Sequence, residues 1–138
     1  MDIQNTVVEG IMTPDYTKKL PETEFEVMLA IWDADESPVN TAYLMKAVGV
    51  SHGWKAPTLI SFLVRLEERG YISSEKKGKE RYYTSTSDKA EYIHHTTEDF
   101  VNRYHDGSFV SLLDSLYMNK KLLASDFDQL LSWLKSRY

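Results

Sequence analysis

The residues of this 138-residue chain whose types and spacing could do chemistry are cationic and hydroxylic, and they fall in one stretch. Lys55, Thr58, Ser61 and Arg65 stand three or four residues apart with Ile60 among them, and Lys76, Lys77, Lys79 and Arg81 crowd around Gly78. Lys and Arg are donors only, hydroxyls donate or accept, and Ile presents nothing but methyls. Such a set suits a polyanion that carries base edges: cations for phosphate oxygens, hydroxyls and Arg for phosphates or bases, and Ile60 for a thymine methyl. Each half has an ordinary alternative as well, since helix positions can simply be solvated and a charged hairpin tip can serve solubility.

Charge decides between these only through its distribution. A formal net charge of -5 argues at first against nucleic acid, because phosphate contacts call for Lys and Arg. Residues 20–45, however, hold six acids and no Lys or Arg, whereas residues 46–85 hold eight basic residues against four acids. The middle of the chain is a basic island in an acidic protein.

Other chemistries fare worse. With no cysteine, disulfides, thiolate zinc sites, iron-sulfur clusters and cysteine nucleophiles are excluded. His94 and His95 are adjacent and point about 100° apart on a helix, so they cannot chelate as an i, i+4 pair could. His52 and His105 stand beside or near glycines and read as turn residues. No metal site and no cofactor are expected. Asp33, Asp35 and Glu36 gather at a helix end without a nucleophile, a phosphate-binding glycine loop or a metal set, so no enzyme is expected either. No run approaches the roughly 18 apolar residues of a membrane span, and the first twenty residues lack the order of a secretory signal. A soluble, cytoplasmic protein is the expectation.

The elements that must position the basic island follow from period and punctuation. Residues 1–19 show no sustained period and read as a flexible N-terminal arm, with room for a short helix at 6–12. Phe25, Met28, Leu29 and Trp32 then follow helical spacing behind a capping-box pair, Thr23 and Glu26, and place a first helix ending near Asp35. Ser37-Pro38 breaks the chain, Asn40 can cap, and residues 41–48 form a short second helix that Gly49 stops. A third helix runs from about Ala56 to Arg69, with Pro57 in its first turn, Gly70 after its end, and Leu59, Phe62, Leu63 and Leu66 as its core stripe. The opposite side then offers Thr58, Ser61, Arg65 and Glu68. Past Gly70 the period becomes two: residues 71–74 and 81–84 read as strands of a hairpin around a charged loop from Glu75 to Glu80. Three helices followed by a hairpin with a basic tip is the order of a winged helix-turn-helix, and residues 20–85 are assigned to that DNA-binding domain.

Only helices follow, and residues 86–138 read as a helical dimerisation region. Ile93, Phe100 and Tyr104 share a side of the first; Asp106-Gly107 breaks it. Phe109, Leu112, Leu113 and Leu116 stripe the second, and Phe127, Leu130, Leu131 and Leu134 stripe a last helix for which Ser125 can cap. Three short helices carry more apolar surface than they can enclose, and a second copy of the chain is the simplest cover. The fold class is therefore mainly α with a small β-hairpin wing.

Three motifs in order resemble the BlaI/MecI/CopY repressors of bacteria. Glu24-Phe25-Glu26-Val27-Met28 followed by Ala30-Ile31-Trp32 is similar to that family's opening helix. Trp54…Thr58-Leu59…Leu63…Arg65-Leu66…Gly70 resembles its recognition element, and Phe100-Val101-Asn102-Arg103…Gly107-Ser108-Phe109 its junction between dimerisation helices. The resemblance covers residues 20–138 and implies a homodimeric repressor of a nearby gene, double-stranded palindromic operator DNA as partner, a winged helix with a domain-swapped-looking helical dimer, and antibiotic-resistance regulation as a context. Departures accompany it. Lys55-Ala56-Pro57 stands for Ser-Pro-Lys, Ile60 for a commonly basic position and Ser61 for Thr. The resemblance also implies a signalling protease as partner, but the bond matching its Asn-Phe target is Ser115-Leu116, and the cysteine motif of the copper branch is absent. Two further readings stay open: a winged helix used for protein contacts, and a regulator gated by a ligand held near Tyr82, Tyr83 and Tyr92.

Overall fold

The computed structural model describes residues 5–8 and 11–138; residues 1–4, 9 and 10, part of the N-terminal arm expected over 1–19, lie outside the described residues. Two compact units divide the chain, residues 1–96 and 97–138.

The first unit opens with strands β1 (Asn5–Val8) and β2 (Ile11–Pro14), paired antiparallel from Asn5↔Pro14 to Val8↔Ile11. The sequence left room for a short helix at 6–12; Thr6, Val7, Val8, Ile11 and Thr13 are β-branched, and such side chains favour the pleated strand. Helix α1 (Glu22–Trp32) follows. It starts after Pro21 with no side-chain cap, so the Thr23–Glu26 capping box is not formed, and Glu22 and Glu24 in the first turn complement the positive helix end instead. Asn40 does cap α2 (Thr41–Leu44), its side chain accepting from the Tyr43 N–H at 2.8 Å. The chain then widens into a π-helical turn, Met45–Gly49, rather than continuing as α-helix to 48. Helix α3 (Ala56–Glu68) carries Pro57 in its first turn, and Gly70, at φ 82°, takes the left-handed step after it that side chains resist.

Strand β4 (Ile72–Lys77) and strand β5 (Glu80–Ser85) form the wing. The pairing Lys77↔Glu80 leaves only Gly78-Lys79 as the loop, so the hairpin is longer and its tip tighter than the six-residue loop expected from sequence. Gly78 at φ 66° fills the first central position of such a two-residue turn, where a positive φ is needed. A short strand that sequence period did not reveal, β3 (Val39–Asn40), pairs with β5 and makes a three-stranded sheet of order β3-β5-β4.

The core of this unit joins Val27, Met28 and Ile31 of α1, Leu44 and Val48, the Leu59, Leu63 and Leu66 stripe of α3, and Tyr71, Ile72 and Tyr83 of the wing base. Helix α4 (Lys89–His105) begins here, with Tyr92 buried against Phe25 and Trp32 at ring separations of 5.5 and 5.8 Å. The Leu20 N–H donates to the Tyr92 hydroxyl at 2.9 Å, and the indole of Trp32 donates to Ser87 at 3.0 Å. Glu24, buried on α1, faces Arg69 at the end of α3 across 3.6 Å.

In the second unit α4 ends at His105, which is its last helical residue rather than part of the turn; its Nδ1 lies 2.9 Å from the Ser111 hydroxyl. Asp106 and Gly107, both at positive φ, make the break. Ser108 caps α5 (Phe109–Met118). Helix α6 (Ala124–Arg137) starts one residue before Ser125, and its first turn is held by the Asp126 carboxylate accepting from the Leu123 N–H at 2.7 Å, so Ser125 is not the cap. Among the described residues, no helix is long and apolar enough to cross a membrane, and no group of three or more His, Cys, Asp and Glu side chains could hold a metal ion.

Candidate nucleic-acid interface

Helix α3 is held by its core stripe, so the rest of its circumference is presented outward. Lys55, Thr58, Ile60 and Arg65 are exposed and Ser61 is half-buried. The placement adds a residue that the sequence reading passed over. Val64 stands one turn beyond Ile60 on the same face and is 51% exposed, with Ile60 at 43%. An apolar residue at that position gives no signal in a helical pattern already accounted for by four Leu and Phe side chains. Phe62, by contrast, is only half-buried: it packs edge-on against Trp54 with ring centroids 5.0 Å apart, while the Arg65 guanidinium lies 5.9 Å from its ring.

The turn between the π-helical segment and α3 carries His52, which is indeed a turn residue. Its ring stacks on Trp54 at 4.5 Å, and its Nδ1 lies 2.9 Å from the Val48 carbonyl oxygen. Trp54 thereby couples the turn to the base of α3, so Lys55 enters the helix from a fixed direction.

The wing separates cations that look equivalent in sequence. Strand pairing puts Lys76 opposite Arg81, Ser74 opposite Tyr83 and Ile72 opposite Ser85, and this set shares one face of the hairpin. That face looks toward α3: Ser74, Arg81 and Tyr83 line a cleft of about 720 Å³ together with Ile60, Leu63, Val64, Glu67 and Glu68. A second hollow of about 300 Å³ lies between Ile60, Arg81 and Lys79 on one side and Thr41 and Ala42 at the start of α2 on the other. Arg81 is held over the strand by donating from Nη1 to the Ser74 hydroxyl at 2.9 Å. The opposite face carries Lys77 with Glu75, Glu80 and Tyr82. There the Lys77 ammonium lies 5.8 Å from the Tyr82 ring, and the Tyr82 hydroxyl donates to Glu80 at 2.8 Å, a bond that raises the phenol's pKa. By register two positive charges lie on the hairpin face toward α3 and one positive with two negative charges on the other, while Glu67 and Glu68 of α3 line the first cleft and Glu80 the second hollow.

Tyr82, Tyr83 and Tyr92 do not form one ligand-binding group. Tyr83 and Tyr92 are buried in the core, and Tyr82 is half-buried on the outer face of the wing. Tyr71, 6.0 Å from the Tyr92 ring, completes the aromatic packing, and burial pushes its phenol pKa well above the usual value.

The apolar side chains assigned to dimerisation are found on helix surfaces of the single chain. Ile93, Phe100 and Tyr104 of α4, Phe109 and Leu116 of α5, and Phe127, Leu131 and Leu134 of α6 are exposed; Leu112, Leu113 and Leu130 are half-buried. Val110, Tyr117, Met118 and Trp133 are exposed with them, and no residue of α5 or α6 is buried.

The model of the penicillinase repressor family matches residues 20–136 of this chain. The penicillinase repressor of Bacillus licheniformis is 29% identical over 116 residues, which cover 82% of this chain and 89% of that protein. Methicillin resistance regulatory protein MecI of Staphylococcus aureus is 23% identical over 121 residues, covering 88% and 97%. The solution structure of the Bacillus licheniformis BlaI monomeric form in complex with the blaP half-operator aligns with 56% of this chain and 92% of that chain, at 28% identity and a TM-score of 0.46.

Proposed function

The chain belongs to the penicillinase repressor family, and from that premise we propose that it is a transcriptional repressor, not an enzyme, that binds operator DNA as a homodimer. Relatives that span most of its length are named as a repressor and a resistance regulator. The observation that carries the reading is the exposed set Lys55, Thr58, Ile60 and Arg65 on α3 beside a wing whose Arg81 shares a cleft with Ile60 and whose Lys76 lies on the same hairpin face as Arg81. Helix α3 would enter the major groove by its first turns, with Lys55 and the wing cations, Lys77 and Lys79 included, on flanking phosphates. Thr58, Ser61 and Arg65 would meet base edges. The net charge stays negative overall, so the attraction is local to this surface and should be strongly salt-dependent.

Dimerisation rests on the exposed apolar side chains of α4, α5 and α6, which exceed what an isolated chain keeps in water. A dimer places two α3 helices on two half-sites, so the operator is palindromic. Acting on DNA, the protein would work in the cytoplasm. A signalling protease as a further partner would act on Ser115-Leu116, both exposed on α5. A second reading, a winged helix used for protein contact, is favoured by the exposed Val64 next to Glu67 and Glu68 on α3.

Selection of duplexes from a randomised pool, followed by binding over a salt series and sedimentation of the free protein, tests this. Enrichment of an inverted repeat, a steep fall of affinity with salt and a dimer are expected. No duplex binding at low salt favours the protein-contact reading, and a monomer at micromolar concentration removes the homodimer.

A further inference from the structure

Phe62 belongs by spacing to the core stripe of α3, yet it is only half-buried where Leu59, Leu63 and Leu66 are buried. At about 100° per residue it falls between that stripe and the line on which Thr58 and Arg65 stand two turns apart. Long side chains on a helix lean back over the turn before their own Cα, so Arg65 reaches toward Phe62 and the first turns of α3. Its guanidinium lies 5.9 Å from the centre of the Phe62 ring, within cation–π range. Arg65 lines neither of the two clefts between α3 and the wing.

The ring beside Arg65 is itself held. Phe62 meets Trp54 edge-on at 5.0 Å, Trp54 stacks on His52 at 4.5 Å, and His52 Nδ1 lies 2.9 Å from the Val48 carbonyl oxygen. A row of three rings thus runs from the turn before α3 to the guanidinium. Phe62 and Trp54 are half-buried and His52 is exposed, so the row gains less from leaving water than core residues do. What it supplies is direction: a guanidinium held against a ring loses rotamers, while the N–H donors along its planar edge stay open to a partner.

We infer that Phe62, buttressed by Trp54, is a positioning residue that aims the Arg65 fork at a base edge, guanine O6 and N7 being the acceptors that fork fits. The inference rests on the reading of α3 as the DNA-contacting helix. Phe62 then sets sequence preference through Arg65 rather than by a hydrogen bond of its own. An exposed cation–π contact corresponds to about two- to fivefold in an equilibrium, and that is the discrimination Phe62 contributes in each half-site.

The test uses the full-length protein and reads the ratio of its affinities for a duplex recovered from the randomised pool and for a random duplex. Phe62→Leu should lower the ratio by about two- to fivefold per half-site, and Phe62→Tyr, which keeps the ring, should hold the wild-type ratio. Arg65→Ala should lower the ratio as well, and Phe62→Leu added to it should change nothing further, because the first change has already removed what the ring positions. Leu keeps an apolar side chain against Trp54, and circular dichroism verifies the fold. Nuclear magnetic resonance of the wild type gives a check that needs no variant: the Arg65 δ-methylene protons should be shielded by the ring. Unshielded protons, an unchanged ratio in Phe62→Leu, the same loss in the Arg65→Ala background, or equal loss on both duplexes overturns the inference and leaves the repressor reading standing. Failure of the wild type to retain any duplex at low salt overturns both.

Discussion

Neutralising the wing cations in two pairs should show that they are not equivalent. In the variant Lys76→Gln, Arg81→Gln both charges on the α3-facing side are lost, while Gln keeps most of the apolar stem; in Lys77→Gln, Lys79→Gln the loss falls on the outer face and the turn. Each phosphate contact contributes about 0.9 to the slope of log affinity against log salt, so the first pair should lower it by about 1.8 for each wing bound. Between about 50 and 200 mM salt, a fourfold change, that difference amounts to roughly a twelvefold narrowing of the gap between wild type and variant. Lys77 is engaged with the Tyr82 ring and shares its face with Glu75 and Glu80, whereas Lys79 lies in the turn, beside the hollow that Ile60, Glu80 and Arg81 line. The second pair should therefore lower the slope by no more than about 0.9. Fluorescence anisotropy with a labelled half-site duplex over a salt series measures both slopes. Equal loss in the two variants, or an unchanged slope in the first, would refute the assignment of the two hairpin faces.

Replacing Thr58 and Ser61 together by Ala should reduce the preference for operator over random duplex while non-specific affinity persists. Thr58, being exposed where Ser61 is half-buried, should account for the larger share, and each contact should fall below the roughly 1–3 kcal/mol of a bidentate pair; competition binding with single and double variants checks this. Phe109→Ser with Leu131→Ser should shift the sedimenting species from dimer to monomer without loss of helix, since neither side chain is buried in the single chain. Tyr92→Phe should leave the Leu20 N–H without its buried acceptor at a cost of about 1–3 kcal/mol, read as a lower urea midpoint at unchanged slope.

Much of this arrangement is legible in the sequence, for reasons that are local. The α3 core stripe is readable because Leu59, Leu63 and Leu66 repeat at the period of the helix, and Asn40 announces its cap because its amide can accept from a backbone N–H three residues on. Gly70 and Gly78 mark chain reversals that residues with a Cβ resist. The basic island needs only a count of charges. Local signals mislead where a competing local solution exists: Thr23 and Ser125 look like caps, but the helices start earlier and recruit Glu22 and Glu24 in one case and Asp126 in the other.

What tertiary structure alone decided is which side of each element has a neighbour. Period two says that Lys76 and Lys77 point apart, but only the pairing with Arg81 and Glu80 and the packing of Tyr83 onto the core determine which of them faces α3. Tyr92 and Ile93 are adjacent aromatic and aliphatic residues on one helix, yet contact with Phe25 and Trp32, sixty or more positions away in the chain, buries the first and leaves the second exposed. Val64 is apolar and looks like core until Leu59, Leu63 and Leu66 have filled it. β3, two residues long, exists only because β5 offers it an edge. Sequence period records which side chains share a face; burial of that face depends on contacts between residues distant in the chain, and these come into being only when the elements pack.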